Sequence, residues 1–262
     1  MPAKPKLGVF KFASCDGCQL SLLDAEQQLL AIAEQIEIAY FLEARSHTDE
    51  GPYDVALVEG SITTPHDAER IQEIRGKSKM LITIGACATS GGIQALRNWH
   101  DVEDFTRYVY ARPEYIQTLA TSTAIAEHVR VDFELRGCPI DVGQLVELIT
   151  SVVMGRKPRF PNESVCMECK RQGTVCVIVA HGTPCLGPVT HSGCGSICPA
   201  CNRGCYGCFG PKENAQPLSL MQHLHGQGCD RQVLVDLVRN FNGYAPEFRA
   251  AGDQFEERSA GT

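Results

Sequence analysis

The chain has 262 residues, 44% of them hydrophobic, with 31 acidic side chains against 24 lysines and arginines, a formal charge of −7. That is enough apolar mass for one large domain or two modest ones, and the missing basic surplus excludes a protein built to displace counterions from a nucleic acid. No run reaches the ~18 apolar residues of a membrane span, which leaves fourteen cysteines as the feature to be explained.

The opening MPAKPKLGVFKFASC holds no long apolar stretch, no small-residue cleavage site and no twin arginine, so the protein is expected in the cytoplasm. Thiols stay reduced there, which argues against a disulfide framework and for metal ligation. Residues 6–12 alternate as a first strand. Residues 19–35, QLSLLDAEQQLLAIAEQ, predict an amphipathic helix with Leu20, Leu23, Gln27 and Leu30 on one face, widened by Leu22, Leu29 and Ile32. Residues 36–41 form a second strand, and 55–58 a third, entered from the turn Gly51-Pro52. A helix over 65–75 has Thr64 as its cap. Residues 79–84 are a fourth strand, 130–135 a fifth, and 141–154 a helix beginning just past Cys138-Pro139. Strands alternating with helices predict parallel pairing and right-handed crossovers. The expected fold is therefore α/β, a flavodoxin-like doubly wound parallel sheet over 1–157, followed by a small irregular cysteine-rich domain over 158–262. The boundary lies in the proline-containing stretch KPRFPNE, residues 157–163. Residues 166–211, rich in Gly, Pro and Cys, lack the periodicity for a core of their own, so metal is expected to supply it. Residues 230–240 predict one closing helix, and the polar residues after Ala251 are expected to fray.

The cysteines fall into two groups. Cys15 and Cys18 follow the first strand, Cys87 the fourth and Cys138 the fifth. In a doubly wound sheet the functional crevice lies beyond the carboxyl ends of the strands, so these four converge on one edge. Four thiolates complete a [4Fe–4S] or a zinc site. A C-x2-C pair such as Cys15–Cys18 is a weak signal alone, but zinc modules usually pair two tight knuckles, which this long-range set does not. Gly85 permits a tight turn, and Gly91-Gly92 lets backbone approach something bulky. The second group places Cys166, Cys169, Cys176, Cys185, Cys194, Cys198, Cys201, Cys205 and Cys208 within 43 residues. Two four-cysteine clusters use eight of them. Cys229 stands alone and reads as a free thiol. The histidines read as ordinary polar surface and Trp99 as packing.

SCDGCQL at 14–20, VEGSI at 58–62, IGACATSGG at 84–92, GCP at 137–139, VCMEC at 165–169, PCLGPVTHSGC at 184–194 and the Cys198-Pro199 and CYGCFGP elements ending at 211 together resemble the small subunit of nickel–iron hydrogenases. The likeness is to the delta subunit of NADP-linked sulfhydrogenases. The first four motifs also suit the related subunit of respiratory NADH dehydrogenase, which lacks the second cysteine domain. The resemblance implies three [4Fe–4S] clusters: a proximal one on Cys15, Cys18, Cys87 and Cys138, a distal one on Cys166, Cys169, Cys176 and Cys185, and a medial one on Cys194, Cys198, Cys205 and Cys208. Cys201 competes with Cys198 for the fourth medial position. Ser14 stands where many relatives have glutamate, which removes the basis for a proton-transfer role there.

By the same resemblance, hydrogen is activated in a separate large subunit holding the nickel–iron centre, and this chain has no catalytic residue of its own. Electrons would pass along the proximal, medial and distal clusters to an iron–sulfur subunit and a flavin-containing NADP(H) reductase subunit. Glu59, Gly60, Gly85, Gly91 and Gly92 are expected to line the proximal cluster and the large-subunit interface, with Glu59 alternatively a surface or capping carboxylate. The competing readings are the small subunit of a methyl-viologen-type hydrogenase coupled to heterodisulfide reductase, and a non-catalytic iron–sulfur scaffold or sensor.

Overall fold

The computed structural model describes residues 4–25 and 27–260. Near-continuous apolar runs make the central strands, because a parallel strand covered on both faces must be apolar on both. In the third strand Val55, Ala56, Leu57 and Val58 are all buried, as are Leu81, Ile82 and Ile84 of the fourth. Among the described residues five strands form one parallel sheet: β1 (Lys6–Lys11), β2 (Glu37–Phe41), β3 (Tyr53–Glu59), β4 (Ser78–Ile84) and β5 (Phe133–Leu135). Their order is β2-β1-β3-β4-β5, the flavodoxin-like order expected from the alternation, which reverses direction at β1 and β3 and opens a crevice at their carboxyl ends. The fifth strand is shorter than the sequence suggested. Asp132 turns its carboxylate onto the Leu81 N–H at 2.9 Å and pairs with Arg75 at 2.6 Å, so a side chain occupies the donor at the strand's entry.

The single helix expected over 19–35 is two: α1 (Gly17–Leu23) and α2 (Gln27–Gln35). The predicted face is also displaced. Leu20 and Leu30 are exposed, whereas Leu22 and Ile32 are buried. Cys18 and Leu22, one turn apart, set the inward face of α1, and the interruption resets the period before α2. The Gln27 and Leu29 side chains lie outside the described residues. Further helices are α3 (Pro65–Lys77), α4 (Gly85–Ser90), α5 (Val102–Val109) and α6 (Val142–Val153).

The chain divides into two compact units, Met1–Arg159 and Phe160–Thr262. The second holds α7 (Val165–Gln172), α8 (Val177–His181), α9 (Ile197–Ala200), α10 (Pro217–Gly226), α11 (Arg231–Val238) and α12 (Pro246–Ala260). Three expectations are corrected here. The closing helix is one of three, and the segment after Ala251 continues α12 with Phe255 buried. Met221, Leu224, Leu234, Val235, Val238, Phe248 and Phe255 form an apolar core that takes in Leu186 and Val189 from the cysteine-rich segment, so metal is not the sole source of packing. Arg239 ties α11 to α12 through Asp253 and Glu256, at 2.8 and 2.6 Å. No helix among the described residues is long and apolar enough to cross a membrane.

Helix α3 gives opposite tests of this local chemistry. Thr64 Oγ1 accepts the Asp67 N–H at 3.1 Å and Asp67 accepts the Thr64 N–H at 3.2 Å, a closed capping box. Thr64→Ala should cost about 1 kcal/mol. A Cβ at Gly76 meets nothing within 4 Å, so Gly76→Ala should gain up to about 1 kcal/mol. Urea midpoints of the two variants should move to opposite sides of the parent's.

Candidate metal centres

Three segments, following β1, β4 and β5, deliver the first set of thiols. Cys15 follows β1, Cys18 sits in the first turn of α1, Cys87 lies in α4 directly after β4, and Cys138 follows β5. The loops are pinned to each other through their backbones. Ala86 N donates to Gly137 O at 2.8 Å, and Gln94 Nε2 donates to Ala13 O at 2.6 Å. Asp16 adopts a left-handed φ of 66° and is held by Lys11 at 2.5 Å. Gly85, at φ 84°, approaches so closely that an added Cβ would lie 2.3 Å from Cys18 Sγ. An added Cβ at Gly92 would lie 2.5 Å from Cys87 Sγ.

The thiols feel one another. Burial, then the Glu59 carboxylate and the neighbouring Cys87 and Cys138, push Cys18 far up. Burial and then Cys87 and Cys15 push Cys138 up to about 11. Cys87 is raised by burial, partly offset by Gln94. Four thiolates in such a place are unstable without compensating cationic charge. The donor set and the glycine-lined backbone therefore fit a metal-bearing group.

Of the five other groups expected here, only Gly85 and Gly92 abut sulfur. Gly60, at φ 95°, lets the end of β3 meet the Phe12 backbone, where a Cβ would sit 2.6 Å from the Phe12 carbonyl carbon. Gly91 packs on Ser122 O. Glu59 is 2% exposed and accepts the Cys18 and Gln19 N–H groups at 3.1 and 3.3 Å. It caps the helix that carries Cys18, and burial raises its carboxyl above the ordinary range.

In the second unit, Cys166 and Cys169 lie on α7, Cys176 at the start of α8 and Cys185 in the following loop. Burial first, then Cys185, Cys169 and Cys176, push Cys166 up to about 11, which groups these four. Cys185 Sγ accepts N–H groups from Cys205 at 3.1 Å and Gly187 at 3.4 Å. The remaining set resolves as two pairs. Cys194 is raised by burial, then by Glu168, with Cys198 also near. Cys205, buried and accepting the Gly207 N–H at 3.5 Å, is raised by burial and feels Cys185 and Cys208. Cys201 is exposed at the end of α9, and Cys229 is half-buried with its thiol 3.9 Å from Gly182 O.

Two groups escaped the sequence. Glu168 reaches the Cys194 loop, and Asn242 Nδ2 donates to the carbonyls of Gly207 and Cys208 at 2.9 and 2.8 Å. Asn242 lies far along the chain with no motif around it. Glu168 stands inside the C-x2-C of VCMEC, which carries no signal of its partner. Among the described residues no three His, Cys, Asp or Glu side chains stand close enough to chelate a single ion. A mononuclear tetrahedral thiolate site needs sulfurs about 3.8 Å apart.

The family model described as NADH ubiquinone oxidoreductase, 20 Kd subunit, matches residues 15–152. The chain is 37% identical to sulfhydrogenase 2 subunit delta of Pyrococcus furiosus, over 79% of this chain and 86% of that one. It is 33% identical to a vhu F420-non-reducing hydrogenase subunit of Methanococcus voltae, over 93% and 96%. Among solved structures it is similar to a chain of an NAD+-reducing [NiFe]-hydrogenase in the H2-reduced state, with a TM-score of 0.57 and 31% identity, over 61% of this chain and 96% of that one. It shares the fold of a chain of the [NiFeSe] hydrogenase from Desulfovibrio vulgaris Hildenborough, with a TM-score of 0.56 and 14% identity, over 81% and 95%.

The Gly85 contact is the sharpest test of the first centre. Gly85→Ala must displace either the strand-to-helix turn or the Cys18 sulfur. Anaerobically reconstituted Gly85→Ala should bind less iron than Gly76→Ala. Equal iron in the two would mean that the Cys18 sulfur is not needed where it stands.

Proposed function

The chain belongs to the family of the NADH ubiquinone oxidoreductase 20 kDa subunit, on its hydrogenase small-subunit branch, and from that premise we propose that it relays electrons between a nickel–iron large subunit and a flavin-containing NADP(H) reductase subunit, by way of a further iron–sulfur subunit. The observation that carries the reading is the gathering of Cys15, Cys18, Cys87 and Cys138 at the carboxyl edge of one sheet, with Gly85 and Gly92 pressed against two of the sulfurs.

Three [4Fe–4S] clusters follow from this reading: a proximal one on Cys15, Cys18, Cys87 and Cys138, a distal one on Cys166, Cys169, Cys176 and Cys185, and a medial one that would join the Cys194–Cys198 and Cys205–Cys208 pairs. When bound, such clusters supply one-electron transfer. The wide sequence separation of Cys15, Cys18, Cys87 and Cys138, unlike the paired tight knuckles of zinc modules, favours this over structural zinc. Cys198 is the medial ligand rather than Cys201, because it neighbours Cys194 while Cys201 faces solvent.

The chain's own contribution is placement and tuning. Glu59 fixes α1 and hence the Cys18 sulfur. Backbone N–H groups from Cys205 and Gly187 bond the Cys185 sulfur and stabilise added negative charge there. Gly92 lets bare backbone approach the Cys87 sulfur, which also donates to Gln94 Oε1 at 3.5 Å. No residue of this chain is assigned a role in splitting hydrogen.

Anaerobic protein should carry about twelve irons per chain, and Cys18→Ala should lose about four of them together with hydrogen-dependent NADP reduction. In the loaded protein iodoacetamide should label Cys201 and Cys229 and spare the other twelve cysteines. A colourless, zinc-filled protein would refute the reading. A second reading has support in the likeness to the F420-non-reducing hydrogenase of Methanococcus voltae: a hydrogenase passing electrons to a heterodisulfide reductase. Proteins copurifying with the tagged chain separate the two.

A further inference from the structure

The loop carrying Cys194 passes through three left-handed or glycine-only conformations, with φ 139° at Gly193, 66° at Gly195 and 50° at Ser196 bracketing the cysteine. Such a turn points successive N–H groups inward and makes an anion-binding nest. One side chain of the same unit fills it. Glu168 Oε1 accepts the Gly193 N–H at 2.8 Å and the Gly195 N–H at 3.2 Å, and Oε2 accepts the Ser196 N–H at 3.1 Å, with the Cys194 sulfur 3.9 Å away. One turn further along α7, Gln172 grips the same loop, donating to Gly195 O at 2.9 Å and accepting from Ser196 Oγ at 2.8 Å.

Glu168 lies between Cys166 and Cys169 of one thiol set and holds the loop of the other. We propose that Glu168 is a positioning residue that locks the Cys194 loop to the helix bearing Cys166 and Cys169, and that its charge beside the Cys194 sulfur sets the reduction potential of the centre held there. This rests on the three-cluster reading above. The geometry separates two roles. Three N–H groups, one of them on a non-glycine residue at positive φ, need an acceptor to stay in this conformation. A carboxylate this close to a ligand sulfur also opposes the extra negative charge of reduction. An alanine removes both effects, whereas a glutamine keeps one oxygen for the Gly193 and Gly195 donors and removes the charge.

The test uses the full complex, purified anaerobically, with iron and acid-labile sulfide analysis and a redox titration followed by electron paramagnetic resonance. Glu168→Gln should keep the parent's iron, while the iron–sulfur signal that Cys198→Ser perturbs titrates at a more positive potential. Glu168→Ala should lose about a third of the iron, one cluster of three. Glu163→Gln, which removes a nearby carboxylate paired with Arg171, should leave the signal in place. The proposal is overturned if Glu168→Gln titrates as the parent does, or if Glu163→Gln moves the same signal equally. Should Glu168→Ala not fold, the glutamine variant alone decides. A parent complex whose small subunit holds no iron–sulfur signal would overturn the cluster reading itself, and this inference with it.

Discussion

A thiolate sulfur is a poor occupant of a protein interior. It carries charge, accepts only weak hydrogen bonds and repels its own kind, so a set of four is held together only when the backbone is forced into place around a compensating cation. Much of the structure answers that constraint. Cys18 is buried, and the peptide at Gly85 sits where any Cβ would strike its sulfur. Gly92 has the same relation to Cys87. The sheet carries the burden of arranging these turns. Loops that leave β1, β4 and β5 at one end start from fixed points, so little further chain entropy is lost in bringing distant cysteines together.

Backbone N–H groups are the second recurring element, and two glutamates exploit them. Glu59 leaves β3 and accepts the first N–H groups of α1, donors that a helix start leaves unpaired. Glu168 leaves α7 and accepts three from the Cys194 turn. Each carboxylate fixes a cysteine-bearing segment by its main chain, and Glu168 also accepts from the Cys194 Sγ at 3.9 Å. The arrangement has an electrostatic consequence. On the three-cluster proposal, the Glu168 carboxylate stands beside a ligand sulfur, so the group that fixes the Cys194 turn would also oppose reduction there.

The sheet is legible in the sequence because its central strands are apolar on both faces, a pattern that few alternatives produce. The four converging cysteines follow from strand order alone. What fails is local. Leu20 and Leu30 sit at helical spacing from Leu23 and suggest an inward face, yet Cys18 and Leu22 point inward and Asp24 ends α1. Phe248, Ala251 and Phe255 have the i, i+3, i+7 spacing of a buried stripe, but it is masked by charged neighbours and by Pro246, which starts α12 where a proline is tolerated. Gly60 and Gly91 suggest room for a cofactor, whereas they make room for Phe12 and Ser122. A glycine's need for space is visible in sequence; the neighbour that takes the space is not. Glu168 and Asn242 are invisible for the same reason, since their partners lie 25 to 28 and 34 to 35 residues away.

The two units solve the same problem by different means. In the first, a sheet with its own core presents four cysteines from widely separated loops. In the second, the cysteine-rich segment has only short helices, and α8 and α9 are too brief to persist alone. Its order is borrowed from the helices that follow. Leu186 and Val189 dip into the core formed by α10, α11 and α12, and Asn242, between α11 and α12, holds the carbonyls of Gly207 and Cys208. The cysteine-rich segment is therefore a loop seated on an apolar platform. On the three-cluster proposal, metal would have only the turns between Cys166 and Cys208 left to order, a smaller task than creating a fold, and the Glu168 and Asn242 contacts already fix both ends of the Cys194–Cys208 stretch.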